Sequence, residues 1–223
     1  TYCGVLERAK EFKRNRGKRI KKAGRGAVQR IDPKNLYTEL RKAANHPLLL
    51  LRKFEPNLEN IVQESFKLNV FAGDNDHRGP SLHAVRDHLC SAQAGNDYRM
   101  NEHCKLYSDR SELFRSLCLD PSALNDSPKL EWLKNNLPRM FEEGHRVLLF
   151  SQWTTLLDLI ELFMNECLGE RGKIMRLDGQ TNVDDRQDMI DKFNAPGSQY
   201  RTFLLSTRAG GMGINLTSAD TVI

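Results

Sequence analysis

The carboxyl-terminal part of the sequence predicts an α/β fold, a parallel sheet with helices on both faces. Short apolar runs typical of buried strands alternate there with longer segments whose apolar residues recur at helical spacing. Strands interleaved with helices favour a parallel sheet joined by right-handed crossovers. These observations predict a layered α/β domain over residues 126–223.

Two other segments precede this domain. Residues 1–52 predict a basic helical protrusion that leads into the block Asn45-His46-Pro47, because the helical spacing over Leu36–Ala44 ends before Pro47. Residues 53–125 mix short helical fragments with polar turns. We interpret them as a helical insertion.

Each element of the α/β domain has its own signal. A helix begins at Ser127-Pro128, where proline suits the first turn, and Gly144 ends it. The following segments are predicted as strand, helix, strand, helix, strand and the start of a last strand, over residues 146–151, 156–168, 174–177, 184–193, 202–206 and 220–223. Ligands gather at the carboxyl ends of such strands, so the residues after each strand are candidate site residues.

The positive charge of the chain is concentrated in one segment. The formal net charge is +5, but residues 1–35 hold 12 Lys and Arg against 3 Asp and Glu, whereas residues 36–223 hold 22 against 26. Such a basic arm contacts phosphates or serves as a nuclear address, and the plainer alternative is a solvated loop. The candidate phosphate contacts in the arm are Lys18, Arg19, Lys21 and Lys22.

Composition narrows the class of protein. No apolar run approaches the roughly 20 residues of a membrane helix, so a transmembrane protein is excluded and no membrane partner is expected. The five cysteines form no Cys-x-x-Cys pair and no secretory signal stands at the start, which indicates a reduced, intracellular chain. Because the chain begins with Thr1 and ends on a strand without a following turn, we expect a fragment of a longer protein.

Histidines and cysteines of the insertion raise the question of a metal site. Imidazole and thiolate are the ligands that zinc prefers, but the spacing of these residues fits no paired pattern. We expect no metal site, and we interpret them as scattered residues of a helical insertion: His83, His88, Cys90, His103, Cys104 and Cys118.

The densest motif is a glycine-rich segment that follows the strand over residues 202–206. It reads Ser206-Thr207-Arg208-Ala209-Gly210-Gly211-Met212-Gly213-Ile214-Asn215-Leu216. Three glycines in four positions let a backbone approach a phosphate closely, and amide groups that lead into a helix attract anions. The alternative is a tight turn between a strand and a helix.

Four blocks in this order carry a family resemblance. They are Asn45-His46-Pro47, Val147-Leu148-Leu149-Phe150-Ser151-Gln152, Arg176-Leu177-Asp178-Gly179-Gln180-Thr181 with Arg186 downstream, and the glycine-rich segment. Together they resemble the second RecA-like lobe of the SWI/SNF-family chromatin-remodelling ATPases of helicase superfamily two. The sequences around Asn45 and after Asn215 look most like the subgroup of actin-dependent regulators with a DEAD/H box.

The resemblance implies roles for particular residues. Ser151, Gln152, Asp178, Gly179 and Thr181 fall where the family lines the face that tracks a nucleic-acid backbone. The phosphate contacts of the glycine-rich segment fall on Thr207 and Arg208, and the nucleotide contacts fall on Gly211, Gly213 and Asn215. Hydroxyls, amides and short polar side chains suit backbone phosphates, which they bind without reading bases.

The sequence lacks the parts that hydrolyse a nucleotide. No Gly-x-x-x-x-Gly-Lys-Ser/Thr loop and no Asp-Glu dipeptide stand in the chain. The resemblance therefore implies that ATP with Mg²⁺ is bound mainly by a first lobe, that this chain holds no catalytic residue, and that it is inactive alone.

The function implied is that of the second lobe of a nuclear, double-stranded DNA translocase that remodels nucleosomes. Its partners are DNA, nucleosomal histones and the first lobe of the same protein. Two alternatives remain open at this point, a non-catalytic DNA- or chromatin-binding module and a DNA-repair translocase of the same family.

Overall fold

The computed structural model describes residues 33–71, 79–91, 94–169, 173–210 and 213–223. The four candidate lysines and arginines of the basic arm and Gly211 lie outside these residues. The chain divides into two compact units, Thr1–Ala123 and Leu124–Ile223.

The first unit is helical throughout its described residues. Its α-helices, named α1 to α5 in chain order, are Pro33–Asn45, Leu58–Lys67, Leu82–Leu89, Asp97–Leu106 and Glu112–Leu117, with 3-10 turns at Pro47–Leu49 and Glu55–Asn57. A further 3-10 turn, Pro121–Asn125, spans the boundary between the two units. Ser81, Asn96 and Ser111 cap α3, α4 and α5, each accepting a hydrogen bond from a backbone N–H of the first turn. The core of this unit consists of Phe54, Ile61, Val62, Val85, Leu89, Met100, Cys104 and Phe114.

A buried aspartate of α4 binds the segment that follows the Asn-His-Pro block. The carboxylate of Asp97 accepts hydrogen bonds from the backbone N–H groups of Arg52, Lys53 and Phe54 at 2.9 to 3.2 Å. The backbone N–H of Asp97 donates to the carbonyl oxygen of Leu50 at 2.7 Å. Two segments that the sequence separates thus belong to one compact unit.

The second unit has the order of elements that the sequence predicts. Its helices α6 to α9 are Pro128–Glu142, Thr154–Leu168, Val183–Asn194 and Thr207–Gly210, and its strands β1 to β4 are Val147–Ser151, Ile174–Leu177, Thr202–Ser206 and Thr221–Val222. The difference lies in the glycine-rich segment, which starts with the short helix α9 rather than with a loop. The buried hydroxyl of Ser206, the last residue of β3, accepts from the N–H of Ala209 in this helix at 3.2 Å.

The described strands form one parallel sheet in the order β2-β3-β1-β4. One of its faces packs against α8 through Leu148, Met175, Leu177, Phe203, Leu205, Ile190 and Phe193. The opposite face carries α7, because Arg176, which lies between Met175 and Leu177 on β2, pairs with Asp158 and Glu161 of α7. The predicted α/β class, with helices on both faces, is confirmed.

Candidate nucleic-acid and nucleotide interface

The polar candidate residues lie where the parallel strands have their carboxyl ends, which we call the carboxyl edge of the sheet. Ser151 at the end of β1 pairs in register with Ser206 at the end of β3, and Leu177 at the end of β2 pairs with Leu205. Three segments therefore leave the sheet side by side at its carboxyl edge, and they begin with Gln152, Asp178 and Thr207. This grouping follows from the parallel pairing, because all the strands end on the same side.

Ser151 serves the start of a helix. Its side chain is buried, and its hydroxyl oxygen accepts from the N–H of Trp153 at 3.0 Å. The same hydroxyl lies 3.0 Å from the carbonyl oxygen of Trp153, to which it donates. Gln152, between them, is exposed at the edge.

Asp178 shapes the loop that follows β2. Its carboxylate is buried, accepts from the Nε and Nη2 of Arg176 at 2.9 and 2.8 Å, and accepts from the N–H of Gln180 at 2.8 Å. Burial by itself raises the pKa of Asp178, but the Gln180 hydrogen bond and the Arg176 guanidinium hold it below its ordinary value. The carboxylate is therefore ionised and engaged within the chain, and we assign it the positioning of this loop.

Gly179 and Thr181 complete a tight turn. The hydroxyl of Thr181 accepts from the N–H of Asp178 at 3.0 Å, and the N–H of Thr181 donates to the carbonyl of Asp178 at 3.2 Å. Arg186 of α8 donates to the carbonyl of Thr181 at 3.3 Å. Gly179 is exposed, and no atom lies within 4 Å of where a Cβ would stand, so a ligand can approach its backbone.

The short helix α9 presents two polar side chains outward. Ala209 is buried in the apolar cluster of the sheet, whereas Thr207 and Arg208 are exposed. Arg208 brings a positive charge to the carboxyl edge beside the exposed Gln152 and Gly179. An arginine and a hydroxyl at such an edge suit a phosphate oxygen.

A cleft of about 450 Å³ lies between α8 and the end of the glycine-rich segment. Gly213 and Asn215 line it on one side, and Arg186, Gln187 and Asn194 line it on the other. Gly213 has a φ of +67° with open space around its Cβ position, so a side chain there strains the backbone. The side chain of Asn194 fixes the segment by donating to the carbonyl of Asn215 at 2.8 Å.

Acidic and thiol groups give no metal centre in the part of the chain that the structure describes. No three His, Cys, Asp or Glu residues there are arranged to hold a metal ion. His103 packs among the rings of Phe71, Tyr107 and Phe114, and its Nε2 lies 2.8 Å from the hydroxyl of Ser65. Burial and the neighbouring His88 lower the pKa of His103 to about 4, which marks it as a neutral core residue. Within the same described residues, no helix is both long and apolar enough to span a membrane.

The chain is similar in sequence to known proteins. Residues 128–223 match the family described as the helicase conserved C-terminal domain. The chain is 32% identical over 221 residues to the mouse SWI/SNF-related matrix-associated actin-dependent regulator of chromatin subfamily A containing DEAD/H box 1. Residues 128–223 are a helicase C-terminal domain, and the chain is similar to SWI/SNF-related regulators of chromatin. The predicted resemblance, including its subgroup, is confirmed.

Two further relatives show how far the likeness to this helicase domain extends. Protein CHROMATIN REMODELING 19 of Arabidopsis thaliana is 37% identical over 190 residues, or 85% of this chain and 23% of that protein. The match to the mouse relative includes 99% of this chain but only 20% of that protein. The chain therefore spans about a fifth of the length of the curated relatives that it matches. The crystal structure of the C-terminal part of the Fun30 ATPase domain superposes with a TM-score of 0.75 at 27% identity, covering 99% of this chain and 68% of that one.

Arg176 organises the sheet unit, although no sequence motif singled it out. Arg176 joins Asp178 to Asp158 and Glu161 of α7, and none of these pairings was expected. A signal was present, because Arg176 and Asp178 are two residues apart at the end of a strand and side chains at that spacing share one face of the sheet. The acidic residues of α7 lie too far along the chain for any local pattern to connect them.

Proposed function

We propose that the chain is the second lobe of an ATP-dependent double-stranded DNA translocase that remodels nucleosomes in the nucleus. The mouse and Arabidopsis relatives are named for chromatin, and the Fun30 structure is titled as part of an ATPase domain. From these names we infer that the chain belongs to a chromatin-associated ATPase. Within it, we assign this lobe the role of binding the DNA backbone.

The observation that carries the proposal is the chemistry of the carboxyl edge. Gln152, Gly179, Thr207 and Arg208 are exposed on three neighbouring segments. An amide, an open backbone, a hydroxyl and a guanidinium are groups that bind phosphate and sugar, and they carry little information about base sequence. A translocase needs such contacts, because it moves along DNA of any sequence.

The cleft beside Gly213 and Asn215 is the place where this lobe would meet ATP. The exposed backbone at Gly213 lets a phosphate approach, and Asn215 offers a polar side chain at the rim. The sequence holds no Gly-x-x-x-x-Gly-Lys-Ser/Thr loop and no Asp-Glu dipeptide, so we assign Mg²⁺ and most nucleotide contacts to a first lobe elsewhere in a longer protein. When bound there, ATP supplies the phosphoryl transfer whose energy opens and closes the space between the lobes.

Partners follow from the same proposal. The first lobe supplies the nucleotide site, and the nucleosome supplies the DNA together with histones. The basic arm adds sequence-independent affinity for DNA through Lys18, Arg19, Lys21 and Lys22. Because the phosphate loop is absent from this sequence, we expect no ATP turnover from the chain alone.

The test measures DNA affinity of the 223-residue chain as a function of salt, using two labelled duplexes of unrelated sequence. We expect similar affinities for both duplexes and a linear loss of log affinity with log salt concentration. The Arg208→Ala variant loses one phosphate contact, so its salt slope falls by about 0.9 on both duplexes. Arg201→Ala is the matched control, because Arg201 is an arginine at the amino end of β3, where it donates to the carbonyl of Gly144 at 3.4 Å.

Either of two results would sink the proposal. One is a wild-type chain whose DNA affinity does not depend on salt or depends strongly on base sequence. The other is an Arg208→Ala variant whose affinity and salt slope match those of the wild type.

A further inference from the structure

Arg176 lies at the centre of a group of three carboxylates. Its Nη1 lies 2.7 Å from Asp158 Oδ1 and 2.9 Å from Glu161 Oε2, while its Nη2 and Nε lie 2.8 and 2.9 Å from Asp178 Oδ2. About a fifth of the Arg176 side chain is exposed, against 15% for Asp158 and 5% for Asp178. We call these four residues the Arg176 cluster.

The cluster differs from an ordinary surface ion pair. Exposed pairs contribute little, because water screens them and two long side chains must be ordered. Here Asp158 and Asp178 are mostly shielded, while Glu161 is 40% exposed. The planar guanidinium binds carboxylates on both sides at once, which a lysine ammonium cannot do with the same geometry. Burial lowers the pKa of Arg176, but its hydrogen bonds to the three carboxylates raise it above its ordinary value, so the group stays charged.

The cluster connects α7, which begins near the carboxyl edge, with the turn that follows β2 there. Asp158 and Glu161 belong to α7, and Asp178 starts the turn whose remaining hydrogen bonds run to Gln180 and Thr181. Each nitrogen of the guanidinium makes a carboxylate contact, so the cluster holds Arg176 inward.

We propose that Arg176 is a positioning residue for DNA binding, which fixes the turn from Asp178 to Thr181 against α7 without touching the DNA. This inference rests on the proposed function. The turn presents the open backbone of Gly179 to a phosphate only while the carboxylate of Asp178 is held by Arg176. Arg176 thus acts on affinity through geometry, whereas Arg208 acts through its charge.

The experiment compares Arg176→Lys and Arg176→Gln with Arg146→Lys. Arg146 is a matched control, because its guanidinium also reaches into the same unit, donating to the carbonyl of Phe193 and, at 3.2 Å, to that of Tyr200. It lies just before β1, at the amino edge of the sheet. Each 223-residue variant is titrated with a labelled duplex over a range of salt concentrations, well below its melting temperature.

We expect both Arg176 variants to lose about fivefold in DNA affinity, the equivalent of one hydrogen bond to phosphate. Their salt slopes should equal that of the wild type, because no phosphate contact of Arg176 is removed. Amide hydrogen exchange at Gln180 and Thr181 should accelerate, since their N–H groups bond to Asp178. Arg146→Lys should keep the wild-type affinity even if its melting temperature falls.

Three results overturn the inference, and they separate it from the proposed function. A salt slope that drops by about 0.9 in Arg176→Gln makes Arg176 a direct phosphate contact. Unchanged affinity in both Arg176 variants, with Arg208→Ala still weakened, removes the positioning role and leaves the proposed function standing. A wild-type chain without salt-dependent DNA binding removes both.

Discussion

Two buried aspartates, one in each unit, show how differently the two units use polar groups. Asp97 of the helical unit and Asp178 of the sheet unit are both almost wholly buried, and both accept hydrogen bonds from backbone N–H groups. Asp97 connects two distant parts of the chain, because it binds the backbone of Arg52–Phe54 to the start of α4. Asp178 shapes a turn whose outer side stays open at Gly179.

This difference between the two aspartates indicates which unit of the chain is suited to binding a ligand. The helical unit turns its polar groups inward, where Asp97, His103 and Asn101 bond to backbone or side-chain partners. The sheet unit places exposed polar groups at the end of each central strand, because parallel strands deliver them to one edge. We expect substitutions of buried polar groups in the helical unit to change its stability, and substitutions at the carboxyl edge to change binding.

The largest expected effect is on the stability of the helical unit. Asp97→Ala leaves the buried N–H of Phe54 and the part-buried N–H groups of Arg52 and Lys53 without this acceptor, and we expect a loss of about 3 kcal/mol in the free energy of unfolding. Far-UV circular dichroism in urea follows the helices, while the fluorescence of Trp132 and Trp153 reports on the second unit alone. DNA affinity at the carboxyl edge should not change.

Asp87→Ala is the matched control for this variant. Asp87 is also an aspartate of the helical unit, but it is exposed and pairs with His83, likewise exposed, at 3.3 Å. We expect its effect to stay within about 0.5 kcal/mol. Equal losses in Asp97→Ala and Asp87→Ala would show that the buried carboxylate does not hold the unit together.

A smaller effect concerns the pH dependence of the same unit. Burial raises the pKa of Asp97 to about 6, against the opposing hydrogen bonds of Lys53 and Phe54, so its contribution to stability grows as pH falls from 6 towards 4. His103 has a pKa lowered to about 4, so its contribution is complete above pH 6.5 and declines as pH falls towards 4. The two contributions oppose each other in the wild type.

Removing one of the two groups should reveal the effect of the other on the pH dependence of stability. In Asp97→Asn, the free energy of unfolding should fall by about 1 kcal/mol between pH 6.5 and 5.5, because His103 alone then titrates there; in the wild type the opposing gain from Asp97 offsets most of this fall. In His103→Phe, the difference from the wild type should have the opposite sign. The measurement is urea unfolding of each variant at several pH values. Parallel curves for all three proteins would refute the assignment of these two groups.

The sheet unit was predictable from sequence because its elements have strong periodic signals. The helix of residues 128–142 and the strand of residues 202–206 match the expected bounds to within two residues. The exposed candidates at the carboxyl edge followed from the strand ends together with the family resemblance. The exception was α9, where a helical turn starts at Thr207 within a segment rich in glycine.

Other features depend on contacts between distant parts of the chain, which no local pattern reveals. Asp97 reads as a surface residue in sequence, yet it bonds to backbone groups 43 to 45 positions away. Arg176 reads as an ordinary strand arginine, and its partner Glu161 lies 15 positions earlier. Ser151 and Asp178 were expected to face nucleic acid, and only the structure shows that their side chains are engaged inside the chain.

The most direct test of the account maps the DNA-bound surface by amide hydrogen exchange on the 223-residue chain, with and without a short duplex at low salt. The account predicts slower exchange on binding at residues 179–181 and 207–209, at the carboxyl edge of the sheet. It predicts no change at residues 58–67 of the helical unit or at residues 199–201 before β3. Protection confined to the helical unit or to the amino edge would contradict the central claim that this lobe holds DNA at the carboxyl ends of its strands.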